Sequence, residues 1–311
     1  MEEKQVDSTI GRRRFIGLLG AAAASLRAEQ KPQADFPAEA RERLAVSTYP
    51  FRSFIIAPHG SRSEGASQTM KLEEFAATIP SKFNVTGIEP WSHHFESSEP
   101  DYVRGLRESF HNAGLRVVNL PVDMPARLCA GAADRREALA RYRKWVDAAA
   151  ILGSPGIRVH LPHGESGEQI SCAVSALKEL AEYGASKNVV INLENDEPEI
   201  EQPERIAKVI AAVNSAFLRS LPDFCNSMLI HNNAGYNERA MQLLFPLAFN
   251  ISHVKDEEND ENKVYRVNMD QIFAIAKKAG YRGYFSMEFE GKGDPYEGTR
   301  KLLEASLRNL A

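Results

Sequence analysis

Eight short apolar or β-branched runs, each followed by a longer stretch of helical period, fill the chain from residue 44 to its end. The runs are LAVSTYPF (44–51), VTGIEPW (85–91), LRVVNLPV (115–122), GIRVHLP (156–162), NVVINLEN (188–195), FLRSLPDF (217–224), FNISHVKD (249–256) and RGYFSMEFE (282–290). Amphipathic patterns between them predict helices near 71–80, 100–113, 134–152, 168–186, 203–214, 237–246, 268–279 and 295–309. Glycine closes several helices just before the next strand, as in NAGL at 112–115 and KAGY at 278–281. Strand and helix alternating eight times without interruption predict an α/β fold, a (β/α)8 TIM barrel forming one catalytic domain over 44–311. A doubly wound sheet would need a glycine-rich phosphate turn, and no GxGxxG follows the first strand.

Strands buried on both faces should be apolar, so their polar residues are informative. Residues two apart share a face, and barrel enzymes keep their sites at the C-terminal ends of the strands. Asn192 and Glu194 share one face, with Ile191 and Leu193 opposite. His253 stands between Ser252 and Val254, Asp223 ends the sixth run, and Glu288 and Glu290 share the face of Ser286. The last four strands thus each end in an oxygen or nitrogen donor: Glu194, Asp223, His253 and Glu288. Three carboxylates and an imidazole suit one divalent ion such as Mn²⁺, Mg²⁺, Co²⁺ or Zn²⁺. Without a cation they would repel and be poorly solvated, unless each were separately paired with Arg or Lys.

The N-terminus has a different character. GRRRFIGLLGAAAASLRA (11–28) is a basic stretch followed by an apolar run too short to span a bilayer, ending in small residues. Arg12 and Arg13, followed by Phe15 and Ile16, resemble the twin-arginine export motif. A signal peptide over 1–28, a polar linker over 29–43, and a periplasmic or extracytoplasmic protein free of the membrane after cleavage are expected. A basic N-terminal helix is the alternative. The net charge of -4 supplies no bulk attraction for nucleic acid. Three distant cysteines without a CxxC make a disulfide framework or a cysteine zinc site unexpected.

In order and spacing, INLEN, LPDFCN, SHVKD and FSMEFEG resemble the fifth- to eighth-strand motifs of the xylose isomerase-like barrel superfamily. Within it, the sugar phosphate isomerase/epimerase group is the nearest pattern, over about residues 44 to 310. The resemblance implies that Glu194, Asp223, His253 and Glu288 hold one divalent metal. It also implies that Glu194 and Glu288 exchange a proton with the carbon beside a ketose carbonyl, through an ene-diolate. Two departures matter. Asn226 stands where many epimerases have His, and Asn195-Asp196 stands where many members read Asn-His. Those positions contact substrate in the family, so the reaction class is left open.

Asn226, Glu89, His94, Arg158, His160 and Lys255 are the candidate substrate contacts, although His160 has an equal structural reading. Trp91 and Phe51 are candidates for an apolar wall. The expected activity is metal-dependent isomerisation or epimerisation of a keto-sugar. A lyase or dehydratase acting on an oxidised sugar or glycoside is the alternative on the same scaffold. A DNA-repair endonuclease of this superfamily needs more His ligands for its three metals, and a non-catalytic sugar-binding barrel is the remaining class. No Arg and Lys cluster at the strand ends demands a phosphate, so an unphosphorylated sugar is favoured. The loop FIIAPHGSRSEGAS (54–67) is long enough to cover the mouth, and the outer helices allow a homo-oligomer.

Overall fold

All eight runs become strands of one closed ring. Its parts are β1 (Leu44–Ser47), β2 (Gly87–Glu89), β3 (Arg116–Val117), β4 (Leu120–Pro121), β5 (Gly156–Val159), β6 (Val190–Glu194), β7 (Leu218–Leu221), β8 (Ile251–Val254) and β11 (Tyr284–Met287). A hairpin of β9 (Glu257–Asp260) and β10 (Lys263–Arg266) stands outside the ring. The computed structural model describes residues 30–58, 68–124, 127–163, 166–260 and 263–311. The twin-arginine segment and residues 59–67 of the candidate mouth loop lie outside the described residues.

Hydrogen-bonded order runs β3-β2-β1-β11-β8 in one arc and β4-β5-β6-β7 in the other, all parallel. Two joints close the ring. Strands β3 and β4 are consecutive pieces of one barrel strand, the first pairing with β2 and the second with β5. Between β7 and β8 only the bridges Ser220–Ala248 and Asp223–His253 remain. The second bridge sets two of the candidate ligands directly opposite each other.

Helices wrap the ring: α1 (Leu72–Phe83), α2 (Pro100–Asn112), α3 (Ala132–Leu152), α4 (Gly167–Lys187), α5 (Pro203–Val213), α6 (Ser227–His231), α7 (Ala234–Leu244), α8 (Met269–Lys278) and α9 (Pro295–Leu310). Helix α5 illustrates why. Pro203 opens it, where its missing N–H costs nothing, and Asn214 ends it in the left-handed region at φ 49°. Ile206, Val209, Ile210 and Val213 recur on one face and are buried against the barrel. Each such side chain contributes about 1.5–3 kcal/mol, so Ile206→Asp should release the helix. Helix α1 runs past the expected end at Pro80 to Phe83, whose ring lies 6.0 Å from Phe51 in the core. Asn84, at φ 53°, then stops it.

The barrel interior is layered. Ala45, Val118, Leu221, Ile251 and Tyr284 form an apolar floor, against which Phe36 packs from the preceding segment. Polar side chains fill the levels above. Cysteine spacing misled: Cys129 and Cys172 form a disulfide with Cα atoms 5.8 Å apart. It ties the loop after β4 to the second turn of α4, while Cys225 is free and buried.

Candidate metal centre and active site

Glu194, Asp223, His253 and Glu288 converge, with one donor atom from each lying within 4.8 Å of the others. All four are buried, and Asp223 and His253 are fully so. Local chemistry holds each in place. Strand β7 ends at Leu221, just before Pro222, and the Asp223 Oδ1 accepts the backbone N–H groups of Cys225 (2.8 Å) and Asn226 (2.7 Å), which turns the chain into α6. Its Oδ2 has no hydrogen-bond partner among the described residues and lies 3.6 Å from the Lys255 Nζ. Asn195 locks the same turn: its Nδ2 donates to the Asp223 carbonyl and its Oδ1 accepts the Asp223 N–H.

His253 Nδ1 lies 2.7 Å from Glu194 and 3.1 Å from Glu288. Burial favours a neutral ring, but Glu194, Glu288 and Glu89 outweigh it and raise the imidazole well above its usual range. One proton and one ammonium thus stand among the acidic donors. Burial lifts the Asp223 carboxyl to about 6, although Lys255 opposes that. Burial would also lift the Glu288 carboxyl, but His253 and Lys255 hold it below the usual carboxylate range.

Lys255 is buried with a crowd of oxygens. Its ammonium lies 2.6 Å from Glu290, 3.1 Å from Glu258, 3.4 Å from Glu288 and 3.0 Å from the Asn226 Oδ1. Among the described residues the buried Asn226 Nδ2 has no hydrogen-bond partner. Glu258 comes from the β9–β10 hairpin, a feature the sequence reading missed because the stretch is strongly polar. Glu290 sits at the rim beside it, with Arg52 3.9 Å away.

On the other side of the mouth, the Arg158 Nε lies 3.1 Å from Glu194, and its Nη1 pairs with Asp123. His160 bridges Asp123 (3.0 Å) and Glu201 (3.3 Å), while Glu201 also accepts the Leu161 N–H at 2.7 Å. Burial and Arg158 work against protonation of His160, yet the bonds to Asp123 and Glu201 raise it to about 10. The Trp91 Nε1 donates to Asp123 at 2.6 Å, so this ring does edge the site. Phe51 instead belongs to the core beside Phe75. Asp123 and Glu201 were not singled out from the sequence. Asp123 stands just past the end of the third run, where the strand-end rule used on the later strands would have found it.

Two of the candidate substrate contacts are set back from the mouth. His94 is buried behind Trp91, with Nδ1 2.9 Å from the Thr48 hydroxyl, and burial lowers it to about 3. Glu89 is fully buried and reaches the His253 Nε2 at 3.0 Å.

The donor set fits a divalent cation. Hard oxygen donors and one imidazole face a common point, and the Asp223 Oδ2 lacks a hydrogen bond. A buried oxygen of that kind is costly unless something charged meets it. His160, Asp196 and Glu201 also lie close enough to share an ion. Arg158, however, is 4.0 Å from Asp196, and His160 is already bonded on both ring nitrogens.

The profile of the xylose isomerase-like TIM barrel family matches residues 80–310, and the chain belongs to that family. No curated protein matches it. Similar solved structures include a xylose isomerase-like TIM barrel protein from Mycobacterium smegmatis in complex with magnesium. That protein is 17% identical, with a TM-score of 0.66, over 86% of this chain and 97% of the other. A 3-keto-D-glucoside 4-epimerase from E. coli is 16% identical, with a TM-score of 0.63, over 86% of this chain and 98% of the other. A probable 3-DHS dehydratase from Bacillus anthracis is 14% identical, with a TM-score of 0.64 over the same shares. These likenesses show the fold.

Proposed function

We propose that this protein is a divalent-metal-dependent isomerase or epimerase of an unphosphorylated keto-sugar. The observation that carries the reading is the convergence of four donors from four successive barrel strands on one point. A bound divalent cation would polarise the ketose carbonyl and offset negative charge developing on its oxygen. Glu194 and Glu288 have two strands, β7 and β8, between them on the ring, so substrate lying between them meets a carboxylate on each side. One takes the proton from the carbon beside the carbonyl, and the other returns a proton to the ene-diolate. Arg158 behind Glu194 and Lys255 behind Glu288 hold the two bases in place. The unpartnered Asn226 Nδ2 offers a hydrogen bond to a substrate oxygen.

Charge supports a neutral substrate. Arg158 is matched by Asp123 and Glu194, and Lys255 by Asp223, Glu258, Glu288 and Glu290. A phosphate would meet an acidic rim. An exported location fits Arg12-Arg13 together with the Cys129–Cys172 disulfide, because such bonds persist in oxidising compartments.

A second reading, elimination from an oxidised sugar, draws on Glu258. Burial and its hydrogen bond to Glu290 lift that carboxyl to about 9 despite Lys255, which gives the rim an acid able to protonate a leaving hydroxyl. One experiment tests both readings. Metal-loaded protein incubated with keto-sugars in D₂O should place deuterium on the carbon beside the carbonyl. A conjugated ultraviolet absorbance growing with turnover selects elimination. No exchange and no such absorbance with any sugar in a broad panel contradicts both.

A further inference from the structure

Beneath the donor set lies a chain of buried amides. Asn119, Asn192 and Asn250 are fully buried, and come from the β3–β4 joint, β6 and the start of β8. The Asn250 Nδ2 donates to the Val118 carbonyl at 3.0 Å. The Asn192 Nδ2 donates to the Asn250 Oδ1 (3.0 Å) and the Asn119 Oδ1 (3.1 Å). The Asn119 Nδ2 donates to the Glu89 Oε1 at 2.8 Å. Gly156 makes room: a Cβ there would sit 2.6 Å from the Asn192 Nδ2 and 2.9 Å from the Asn250 Oδ1.

The direction of every bond in this chain is forced. A carbonyl oxygen only accepts, so Asn250 must turn its NH₂ to Val118 and its oxygen to Asn192. Asn192 must then turn its NH₂ to Asn250, and its second hydrogen serves the Asn119 oxygen. That leaves the Asn119 NH₂ for Glu89, which is therefore an acceptor. Its other partner is the His253 Nε2, 3.0 Å from both carboxylate oxygens. An accepting carboxylate there requires hydrogen on Nε2, so the lone pair of a neutral ring belongs to Nδ1, the nitrogen facing Glu194 and Glu288.

We infer that Glu89, held by the asparagine relay anchored on the Val118 carbonyl, is a positioning residue that fixes His253 with its proton on Nε2 and presents Nδ1 to the cation. The inference rests on the metal reading above. It removes Glu89 from the substrate contacts and gives a buried polar chain far from the mouth a role in metal affinity. Second-layer carboxylates of this kind are worth about 10- to 100-fold in metal affinity.

The test is Mn²⁺ titration by calorimetry of wild type, Glu89→Ala, Glu89→Gln and Gly156→Ala. It is joined to long-range ¹H–¹⁵N spectra of the His253 ring in the same proteins loaded with diamagnetic Zn²⁺, with melting curves to show that each is folded. Wild type should show hydrogen on Nε2 and metal at Nδ1. Glu89→Ala should weaken Mn²⁺ binding about 10- to 100-fold and bring in the other tautomer. Glu89→Gln keeps size and one acceptor oxygen, so it should lose less and serves if the Ala variant does not fold. Gly156→Ala touches no donor, yet should weaken binding in the same direction. Unchanged Mn²⁺ affinity in Glu89→Ala, or metal on Nε2 in wild type, overturns this inference alone. Unchanged metal affinity with a raised KM would return Glu89 to the substrate contacts. A wild type that takes up no Mn²⁺ overturns the metal reading and this inference with it.

Discussion

Two clusters of carboxylate and imidazole face each other across the barrel mouth, and they differ in what they lack. Asp123, Arg158, His160 and Glu201 pair with one another, a guanidinium and a protonated imidazole against two carboxylates, and Arg158 also reaches Glu194 of the second set at 3.1 Å. The second set is Glu194, Asp223, His253 and Glu288. It leaves the Asp223 Oδ2 without a hydrogen bond, and its nearest ammonium is shared with two rim carboxylates. The first is a finished structural network that can shape a pocket. The second is short of positive charge, and a divalent cation would complete it. Composition is nearly the same on both sides, and Arg158 stands between them, against Asp123 and Glu194; the Asp223 oxygen without a hydrogen bond separates them.

The largest effect that would sharpen this contrast is on chemistry. Glu194→Gln and Glu288→Gln should each lower proton exchange in D₂O by about 10²- to 10⁴-fold, measured by mass spectrometry of recovered sugar. An activity left near wild type in both would remove them from the proton path. Next in size, Arg158→Met strips the finished cluster of its buried cation and leaves Asp123 and Glu194 uncompensated. It should cost about 3–5 kcal/mol of stability in urea unfolding. A loss below about 1 kcal/mol would mean that the network is not the self-sufficient unit described.

A smaller effect separates the clusters as metal sites. Mn²⁺ at 100 times its Kd should add about 2.7 kcal/mol of stability, read as a rise in Tm of about 5 °C. Asp223→Asn should abolish the rise and Glu201→Gln should keep it; the reverse would exchange the two assignments. Because burial lifts the Asp223 carboxyl to about 6, Mn²⁺ binding should weaken as pH falls below that value. The last effect is one of pH and concerns His160, which is raised from 6.5 to about 10. The folded chain binds that proton more tightly than the unfolded one, so the stabilisation is full below about 6.5 and is lost as pH rises through about 10. His160→Gln should flatten that part of the metal-free stability profile. A profile that keeps its slope would assign the slope to another group.

Much of this was legible in the chain. Alternation at period two and the eightfold strand–helix order are local properties, and they placed every barrel strand and the four converging donors. What alternation does not give is depth. Glu89 has the same strand-end signature as Glu194, and each is the last residue of its strand, yet Glu89 is bonded to the buried Asn119 and meets the Nε2 side of the His253 ring rather than the Nδ1 side. Residues on connections were hidden for another reason. Asp123, Glu201 and Glu258 reach the site by tertiary placement of loops and of a charged hairpin whose pattern resembles solvated chain. The Cys129–Cys172 bond depends on the same thing, since it joins a loop to a helix 43 residues later.

The most direct test of the central claim is anomalous diffraction from crystals soaked in Mn²⁺. The account predicts one strong peak, about 2.0–2.4 Å from the Glu194, Asp223 and Glu288 carboxylates and the His253 Nδ1, with none beside Glu201. A peak at His160, Asp196 and Glu201, or no peak within reach of His253, would contradict it.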